Sequence, residues 1–209
     1  MRSFKLKIGT TLLTALLNVC NANAMTNVAS EIGSADVRQK MTKVKELADQ
    51  GNPVAQHCYA KYLLNSGDNN GAFGYFKLSA DQKYTKAQYC CGLCLLNGNG
   101  VNRNLSEAIN YIKLAADQGH AKSQLLYAIL LRDEFLTKSN IKTAAEAIRY
   151  AKSAADQSYA AAQCCLGVWF YTGILCSHDI STAKHYLELA AKQNHAGAKN
   201  LLEFIKFKM

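Results

Sequence analysis

The sequence predicts an all-α protein, specifically a right-handed α-solenoid of stacked helix-turn-helix repeats. Three observations predict it: two short phrases recur together, apolar residues recur at helical spacing, and the 209 residues include 1 proline. Repeats of about 20 to 50 residues are typical of solenoids, in which each repeat stacks on its neighbours to bury an apolar face. Scarce proline disfavours sandwiches and barrels built on many tight turns.

The two phrases stay in register along the chain. The first, Ala-Asp-Gln, starts at Ala48, Ala80, Ala116 and Ala155, with Ala191-Lys192-Gln193 as a fifth copy. The second, a small residue followed by Gln, starts at Ala55, Ala87, Ser123 and Ala162, with Ala198-Lys199 closing the series. Both advance by 32, 36, 39 and 36 residues. Chance does not keep two phrases together through the same insertion and deletion, so they mark a true repeat.

Residues 1–24 have the pattern of a secretory signal. Three basic residues precede an apolar stretch from Ile8 to Cys20, and Ala22-Asn23-Ala24 has the small-x-small pattern of a cleavage site. We expect export, with cleavage near Ala24 and a periplasmic or secreted mature chain; a disordered tail is the alternative. No apolar run reaches the roughly 18 residues of a membrane-spanning helix, so no span is expected.

A flexible segment is expected at 25–36 and the solenoid at 37–209. It begins with a helix from about Val37 to Asp49, and its closing helix lies at 198–209, with helical periodicity from about Ala196 to Lys206. Between them lie four two-helix repeats, near 55–86, 87–122, 123–161 and 162–197. In the clearest repeat, Asn97-Gly98-Asn99-Gly100 ends the first helix and Gly119 ends the second in a left-handed conformation. Gly92 and Ala115 are expected at helix–helix contacts.

The segment 87–120 resembles a Sel-one-like repeat, a relative of the tetratricopeptide repeat. The resemblance rests on Ala87-Gln88, Gly92, Gly98-x-Gly100-Val101, Ala108, Tyr111, Ala115-Ala116 and Gln118-Gly119. It extends from about residue 41 to 209 and is specific again in 162–195. The other repeats depart from the motif. They have Ala60 and Ala128 at the position of Gly92, Leu175-Cys176 in place of Gly-Val, and an insertion around Phe135–Ile141. The resemblance implies an adaptor or scaffold that binds other proteins and has no active site.

First helices line the concave side in solenoids of this kind, and that side is the usual recognition surface. Counting from the opening small residue of each repeat, positions 1, 5 and 8 should face the partner helix, as Ala87, Cys91 and Cys94 do. Positions 3, 4, 7 and 11 then point toward the concavity. The candidate partner-binding residues at these positions are Tyr89, Leu93, Leu125, Ile129 and Val168. The alternative is that these positions are buried against neighbouring repeats.

Seven cysteines remain when Cys20 leaves with the signal, and most are interpreted as small core hydrophobes. The candidate disulfide joins Cys58 to Cys90 or Cys91, because facing helices pack about 8–10 Å apart and side chains sometimes bridge that gap. A cysteine-rich secreted branch of the family uses a disulfide whose positions are occupied here by Ala116 and Gln88. That disulfide is therefore absent.

Two alternatives to a scaffold remain open. Cys91-Gly92-Leu93-Cys94 has the spacing of redox and zinc sites, with His57 and Cys58 as the nearby further ligands. Its place inside a helix disfavours both uses, since a redox cysteine prefers a helix N-terminus and a structural zinc needs two more ligands.

The other alternative is a penicillin-binding or β-lactamase-like serine enzyme. Ser139-x-x-Lys142, in the inserted turn, and Ser181-x-x-Lys184, at the start of a second helix, match its Ser-x-x-Lys spacing. Neither Ser-Asp-Asn nor Lys-Thr-Gly follows, so we expect no catalytic residue, no cofactor and no metal.

The net charge of +9 comes from basic residues that are spread along the chain. Nucleic-acid sites favour clustered arginines with interleaved aromatic residues, so no nucleic-acid binding is expected. The sequence therefore predicts an exported, non-enzymatic scaffold whose concave surface binds a protein or peptide.

Overall fold

The computed structural model describes residues 35–138 and 140–207, and in these ranges it contains ten helices and no strand. The helices are α1 Ala35–Asp49, α2 Pro53–Asn65, α3 Asn69–Asp81, α4 Thr85–Asn97, α5 Leu105–Asp117, α6 Ala121–Lys138, α7 Ile141–Asp156, α8 Ala160–Thr172, α9 Ile180–Lys192 and α10 Ala196–Phe207. The all-α prediction is confirmed. The predicted signal at 1–24 and Ser139 lie outside the described residues.

The described helices fall into two compact units, residues 35–104 with α1 to α4 and residues 105–207 with α5 to α10. Within each unit, helices that follow one another in the chain pack side by side. The pairs α2–α3, α6–α7 and α8–α9 form the first, third and fourth repeats. Sequence periodicity alone does not indicate the division after Asn104.

Polar side chains and glycines fix the helix ends. Asn52 Oδ1 accepts hydrogen bonds from the N–H groups of Val54 and Ala55, both at 3.0 Å, so α2 begins directly after it. Gly98, with φ 78°, ends α4, and its N–H donates to the carbonyl of Cys94 at 2.8 Å. Gly173, with φ 70°, ends α8 in the same way. The predicted turn after Asn97 is therefore confirmed.

A three-residue link follows each of α1, α3, α5, α7 and α9 and joins it to the first helix of the next repeat or to α10. The links are 50–52, 82–84, 118–120, 157–159 and 193–195. The middle residue of each link is left-handed, with φ between 60° and 90°, and these residues are Gly51, Lys83, Gly119, Ser158 and Asn194. The left-handed conformation predicted for Gly119 is confirmed, and three of its equivalents adopt it with a side chain attached.

The insertion in the third repeat lengthens a helix. α6 has 18 residues, against 13 in each of α2, α4 and α8. Asn140 Oδ1 accepts from the N–H of Lys142, which therefore lies in the first turn of α7. The expectation that Lys142 sits in an inserted turn is wrong, because most of the added residues extend α6 and Asn140 starts the next helix at once.

Small residues allow the two helices of a repeat to cross closely. A Cβ atom built on Gly167 of α8 would lie 2.5 Å from Cγ of Leu187 and 3.2 Å from the carbonyl oxygen of Ala183, both in α9. The equivalent residues of the other repeats are Ala60, Gly92 and Ala128, all buried. Ala115 is also fully buried.

Candidate functional site

Buried glutamines, one per repeat, hold the first helices in place. Gln124 donates from Nε2 to the carbonyl of Ala116 at 3.2 Å and to Oγ of Ser153 at 2.9 Å. Gln157 in turn donates from Nε2 to Oε1 of Gln124 at 2.8 Å. The same bonds recur from Gln56 to Ala48 (3.1 Å), Gln82 to Gln56 (2.8 Å), Gln88 to Ala80 (3.5 Å), Gln163 to Ala155 (3.2 Å) and Gln193 to Gln163 (2.8 Å). The two recurring phrases of the sequence are thus the two sides of one hydrogen-bond network.

The predicted binding face is more exposed at its last position than at its first in each first helix. Positions 3, 4, 7 and 11 are His57, Cys58, Lys61 and Asn65 in α2; Tyr89, Cys90, Leu93 and Asn97 in α4; Leu125, Leu126, Ile129 and Asp133 in α6; and Cys164, Cys165, Val168 and Thr172 in α8. Position 7 is half-buried and position 11 exposed in all four helices. Of the five candidate residues, Leu125 is 9% exposed and the other four are half-buried. Position 7 is therefore partly accessible in all four helices, next to an exposed polar residue at position 11.

In the first compact unit, His57 occupies position 3 of α2 and is buried against two aromatic rings and a cysteine. Its ring centroid lies 5.7 Å from that of Phe76 and 5.4 Å from that of Tyr84, and its Nε2 lies 3.8 Å from Sγ of Cys90. Burial, reinforced by two neighbouring lysines, lowers the pKa of His57 to about 4. At neutral pH the ring is uncharged, so this buried part of the face carries no charge.

In the second compact unit, Ile129 and Val168 occupy position 7 of α6 and α8. α10 packs against α8 and carries Phe204, 45% exposed, at the same position. The row is therefore apolar on three first helices. At the exposed end of α6, Arg132 Nη2 donates to Oδ1 of Asp133 at 2.7 Å, which gives the row a charged border. Sequence reasoning missed Phe204, although counting seven positions from Ala198 would have found it.

Three of the seven cysteines in the described residues are buried like core residues, and the other four are half-buried, so the interpretation of most of them as core residues is wrong. Buried are Cys58, Cys91 and Cys94; half-buried are Cys90, Cys164, Cys165 and Cys176. Cys91 and Cys94 lie inside α4 and are 0% and 4% exposed, and burial raises the pKa of the Cys94 thiol. Burial also raises the pKa of Cys165 to about 12, although the nearby Arg132 opposes the shift. A redox thiolate needs a lowered pKa, so these shifts disfavour redox chemistry. The disulfide from Cys58 to Cys90 or Cys91 stays a prediction; Cys58 and Cys91 are buried and Cys90 is half-buried.

Metal and serine chemistry gain no support from the described geometry. Across residues 35–138 and 140–207, no three His, Cys, Asp or Glu side chains come together so as to hold a metal ion. Ser181 is exposed in the first turn of α9, where Asp179 caps the helix by accepting from the N–H of Thr182 at 3.0 Å. Ser181 therefore belongs to the capped first turn of α9. In the same described ranges, no helix has the length and apolar character needed to cross a membrane.

A groove of about 700 Å³ lies between α5 and α6, where the longer helix passes the start of its neighbour. Its apolar lining is formed by Leu105, Ile109, Tyr127, Leu130 and Leu131. Asp133, Glu134 and Lys138 line its charged side. Sequence reasoning did not find this groove, and the insertion near Phe135 was the one signal for it.

Comparison with known proteins identifies the family. The Sel1 repeat model matches residues 55–84, 85–120, 122–159 and 160–195, more than half of the chain. The chain belongs to the Sel1 repeat family. Sel1 repeats generally mediate interactions between proteins, and proteins of this family are typically non-enzymatic scaffolds. The resemblance seen in 87–120 is confirmed.

Solved structures of Sel1 repeat proteins share the fold. A protective antigen of uropathogenic Escherichia coli with the SLR fold is 26% identical, with a TM-score of 0.72 over 79% of this chain and 36% of that chain. A Sel1 repeat protein from Oxalobacter formigenes is 28% identical, with a TM-score of 0.70 over 86% and 74%. A putative Sel1 repeat protein from Klebsiella pneumoniae, 15% identical, shows the fold alone, with a TM-score of 0.53 over 95% and 99%. The prediction of stacked helix pairs is therefore confirmed.

Curated relatives match over a shorter segment. The rat and mouse proteins named DAP3-binding cell death enhancer 1 are each 36% identical over 73 residues, or 35% of this chain. The matched segment spans 14% of the length of those relatives. The match therefore covers part of a repeat array and leaves most of those proteins without a counterpart here.

Proposed function

We propose that this Sel1 repeat protein is an exported, non-enzymatic scaffold that binds a protein or peptide partner on the faces of its first helices. The observation that carries the proposal is the half-buried apolar residue at position 7 of α4, α6 and α8, namely Leu93, Ile129 and Val168. Apolar side chains that recur at a partly exposed position form a row rather than isolated surface residues, and a contiguous apolar surface is typical of a site where a partner docks.

The chemistry of the face favours an apolar segment as the partner. In the second compact unit, the row from Ile129 to Val168 and Phe204 is apolar, and Arg132 and Asp133 border it. An amphipathic helix or an extended apolar peptide with polar flanks matches this arrangement. The name of the curated relatives, DAP3-binding cell death enhancer 1, describes binding of another protein, which agrees with a binding function. That particular partner is not transferred, because the match spans 14% of those relatives.

Selection of short peptides from a displayed random library tests the binding face. Peptides selected on the mature chain should lose at least about tenfold in affinity when Ile129 is changed to Asp, because a charge then meets the apolar segment. Leu114→Asp is the matched control, since Leu114 is 50% exposed on a second helix, away from the face. Equal binding by wild type and Ile129→Asp, with both folded by circular dichroism, would exclude the face in this compact unit. Leu93→Asp applies the same test to the other compact unit.

Export rests on the signal-like residues 1–24 and needs its own test. Mass spectrometry of protein recovered outside the cytoplasm should find an N-terminus at Met25. Leu13→Arg together with Leu16→Arg interrupts the apolar stretch and should leave the precursor in the cytoplasm. Recovery of an intact chain from Met1 in the cytoplasm of cells that make the wild-type protein would contradict export without affecting the binding proposal.

A further inference from the structure

The groove between α5 and α6 has the size and lining of a small-molecule site. Its volume of about 700 Å³ lies within the roughly 300–1,000 Å³ of ligand pockets, and its lining is mainly apolar. Tyr127 and Leu131, at its base, are 7% and 6% exposed, whereas Leu105, at its rim, is 50% exposed. One wall is extended by residues 134–138, by which α6 exceeds the 13 residues of α2, α4 and α8.

The side chain of Tyr127 brings a polar group to the base of this groove. Its ring packs edge-on against that of Tyr150, with centroids 4.9 Å apart. The hydroxyl of Tyr150 donates to Asp117, whereas the hydroxyl of Tyr127 has no hydrogen-bond partner among residues 35–138 and 140–207. In those same ranges no fully buried side-chain nitrogen or oxygen lacks a partner, so this hydroxyl is not sealed in the core and opens to the groove that its ring lines.

Two ion pairs leave the charged side of the groove balanced. Arg132 Nη2 donates to Oδ1 of Asp133 at 2.7 Å, and Lys138 Nζ donates to Oε1 of Glu134 at 3.0 Å. Each carboxylate beside the groove therefore already has a cation. A charged ligand would have to displace one of these partners, whereas an uncharged ligand leaves both pairs in place.

We propose that the groove between α5 and α6 binds an uncharged, largely apolar small molecule whose carbonyl or hydroxyl oxygen accepts a hydrogen bond from Tyr127. Leu105, Ile109 and Leu131 pack against its apolar body, and burial of that body supplies most of the affinity. The hydroxyl sets the orientation, as a few placed polar groups do in ligand sites. Because burial raises the pKa of Tyr127, the hydroxyl keeps its proton and acts as the donor.

This site is separate from the binding face on the first helices. None of the five candidate partner-binding residues lines the groove. The groove therefore adds a ligand site to the proposed scaffold, and either site can fail its test without affecting the other.

Nile red, an uncharged apolar dye with a carbonyl oxygen, tests the proposal because its fluorescence rises in apolar surroundings. Titration of the mature chain, which lacks the apolar stretch from Ile8 to Cys20, should show saturable binding of one dye per chain. Ser106→Trp, at an exposed position of the groove lining, should fill the groove and weaken binding at least about tenfold. Tyr127→Phe keeps the ring and removes only the donor, and should weaken binding about fivefold.

Two substitutions elsewhere are matched controls. Ser181 is the exposed second residue of α9, as Ser106 is of α5, so Ser181→Trp adds the same side chain away from the groove. Tyr59 occupies position 5 of α2, as Tyr127 does in α6, so Tyr59→Phe removes an equivalent hydroxyl in the other compact unit. Both controls should bind Nile red like wild type, and the melting temperatures of all four variants show whether they remain folded.

Three results would overturn the proposal. The first is equal affinity of folded wild type and Ser106→Trp, which would place the dye outside the groove. The second is unchanged affinity in folded Tyr127→Phe, which would remove the hydrogen bond that defines the ligand. The third is a set of library-selected peptides that lose affinity in Ser106→Trp while Nile red does not, which would assign the groove to a protein segment.

Discussion

Nε2 of Gln157 lies 2.8 Å from Oε1 of Gln124, and this contact joins the two recurring phrases of the sequence. Gln124 is 5% exposed, and its own amide group is satisfied by the carbonyl of Ala116 and by Ser153. Each buried polar group in the network therefore depends on the others, which makes the glutamine a structural requirement of the repeat.

Gln124→Leu should lower the free energy of unfolding by roughly 1–3 kcal/mol, because it removes three hydrogen bonds, those with the carbonyl of Ala116, Oγ of Ser153 and Nε2 of Gln157. Urea denaturation followed by circular dichroism measures the loss. Gln39→Leu, at an exposed position of α1, is the control and should change stability by less than about 0.5 kcal/mol. Equal effects at the two sites would show that the network contributes nothing.

Gly167→Ala and Gly74→Ala should have opposite signs. Alanine in a helix interior is favoured over glycine by about 1 kcal/mol, and a Cβ atom on Gly74 meets no atom within 4 Å. Gly74→Ala should therefore stabilise the protein. At Gly167 the new Cβ would overlap Leu187, so overpacking of roughly 1–3 kcal/mol outweighs the gain. A thermal melt in which both variants become more stable would disprove the close crossing of α8 and α9.

Reciprocal exchange at the left-handed link residues should move stability both ways. Ser158 has φ 60°, a conformation that costs a residue with a side chain about 1 kcal/mol or more. Ser158→Gly should stabilise by roughly 0.5–1 kcal/mol after the greater flexibility of glycine in the unfolded chain is included. Gly119→Ser, at the equivalent link, should destabilise by a similar amount. Chemical denaturation of both variants checks the pair, and a loss of stability in Ser158→Gly would contradict the assignment.

His57 should make the protein less stable in mild acid. Its folded pKa of about 4 is below its ordinary value of 6.5, so the unfolded chain binds the proton more readily. The contribution is fully present above pH 6.5 and is lost progressively as the pH falls to about 4, to an extent on the order of 3 kcal/mol. Unfolding free energies of wild type and His57→Leu across this range should differ in slope. Parallel curves would show that the burial of His57 does not govern the acid response.

The stacked helix pairs could be predicted from the sequence because each repeat provides an independent copy of the same pattern. The paired helices followed from the two phrases and the apolar spacing, and the glycines at 98 and 119 and the family followed from the motif of 87–120. The left-handed Lys83 and Ser158 could not be foreseen, since their side chains disfavour the conformation that the link imposes. The groove beside α6 could not be predicted because an insertion can either extend a helix or form a loop, and helical periodicity does not decide between the two.

The face on the first helices was predictable in position and unpredictable in exposure. Helical spacing places Leu125 and Ile129 on one side of α6, but it does not predict that Leu125 is 9% exposed and Ile129 half-buried. A single sequence records which residues share a side of a helix and leaves the distance to the neighbouring helix undetermined. For the same reason, Phe204 could be assigned to the row with Val168 only from the contact between α10 and α8 in the structure.

The three-residue links connect successive repeats in the same way along the described helices. Each of the five links spans the same number of residues. After the first four, a buried glutamine donates to the alanine carbonyl eight residues before it, while the distance from first to second helix varies among the repeats. All variation in repeat length is thus absorbed between the links. A segment cut from one link to the next therefore begins and ends in the same backbone conformation, whatever its own length.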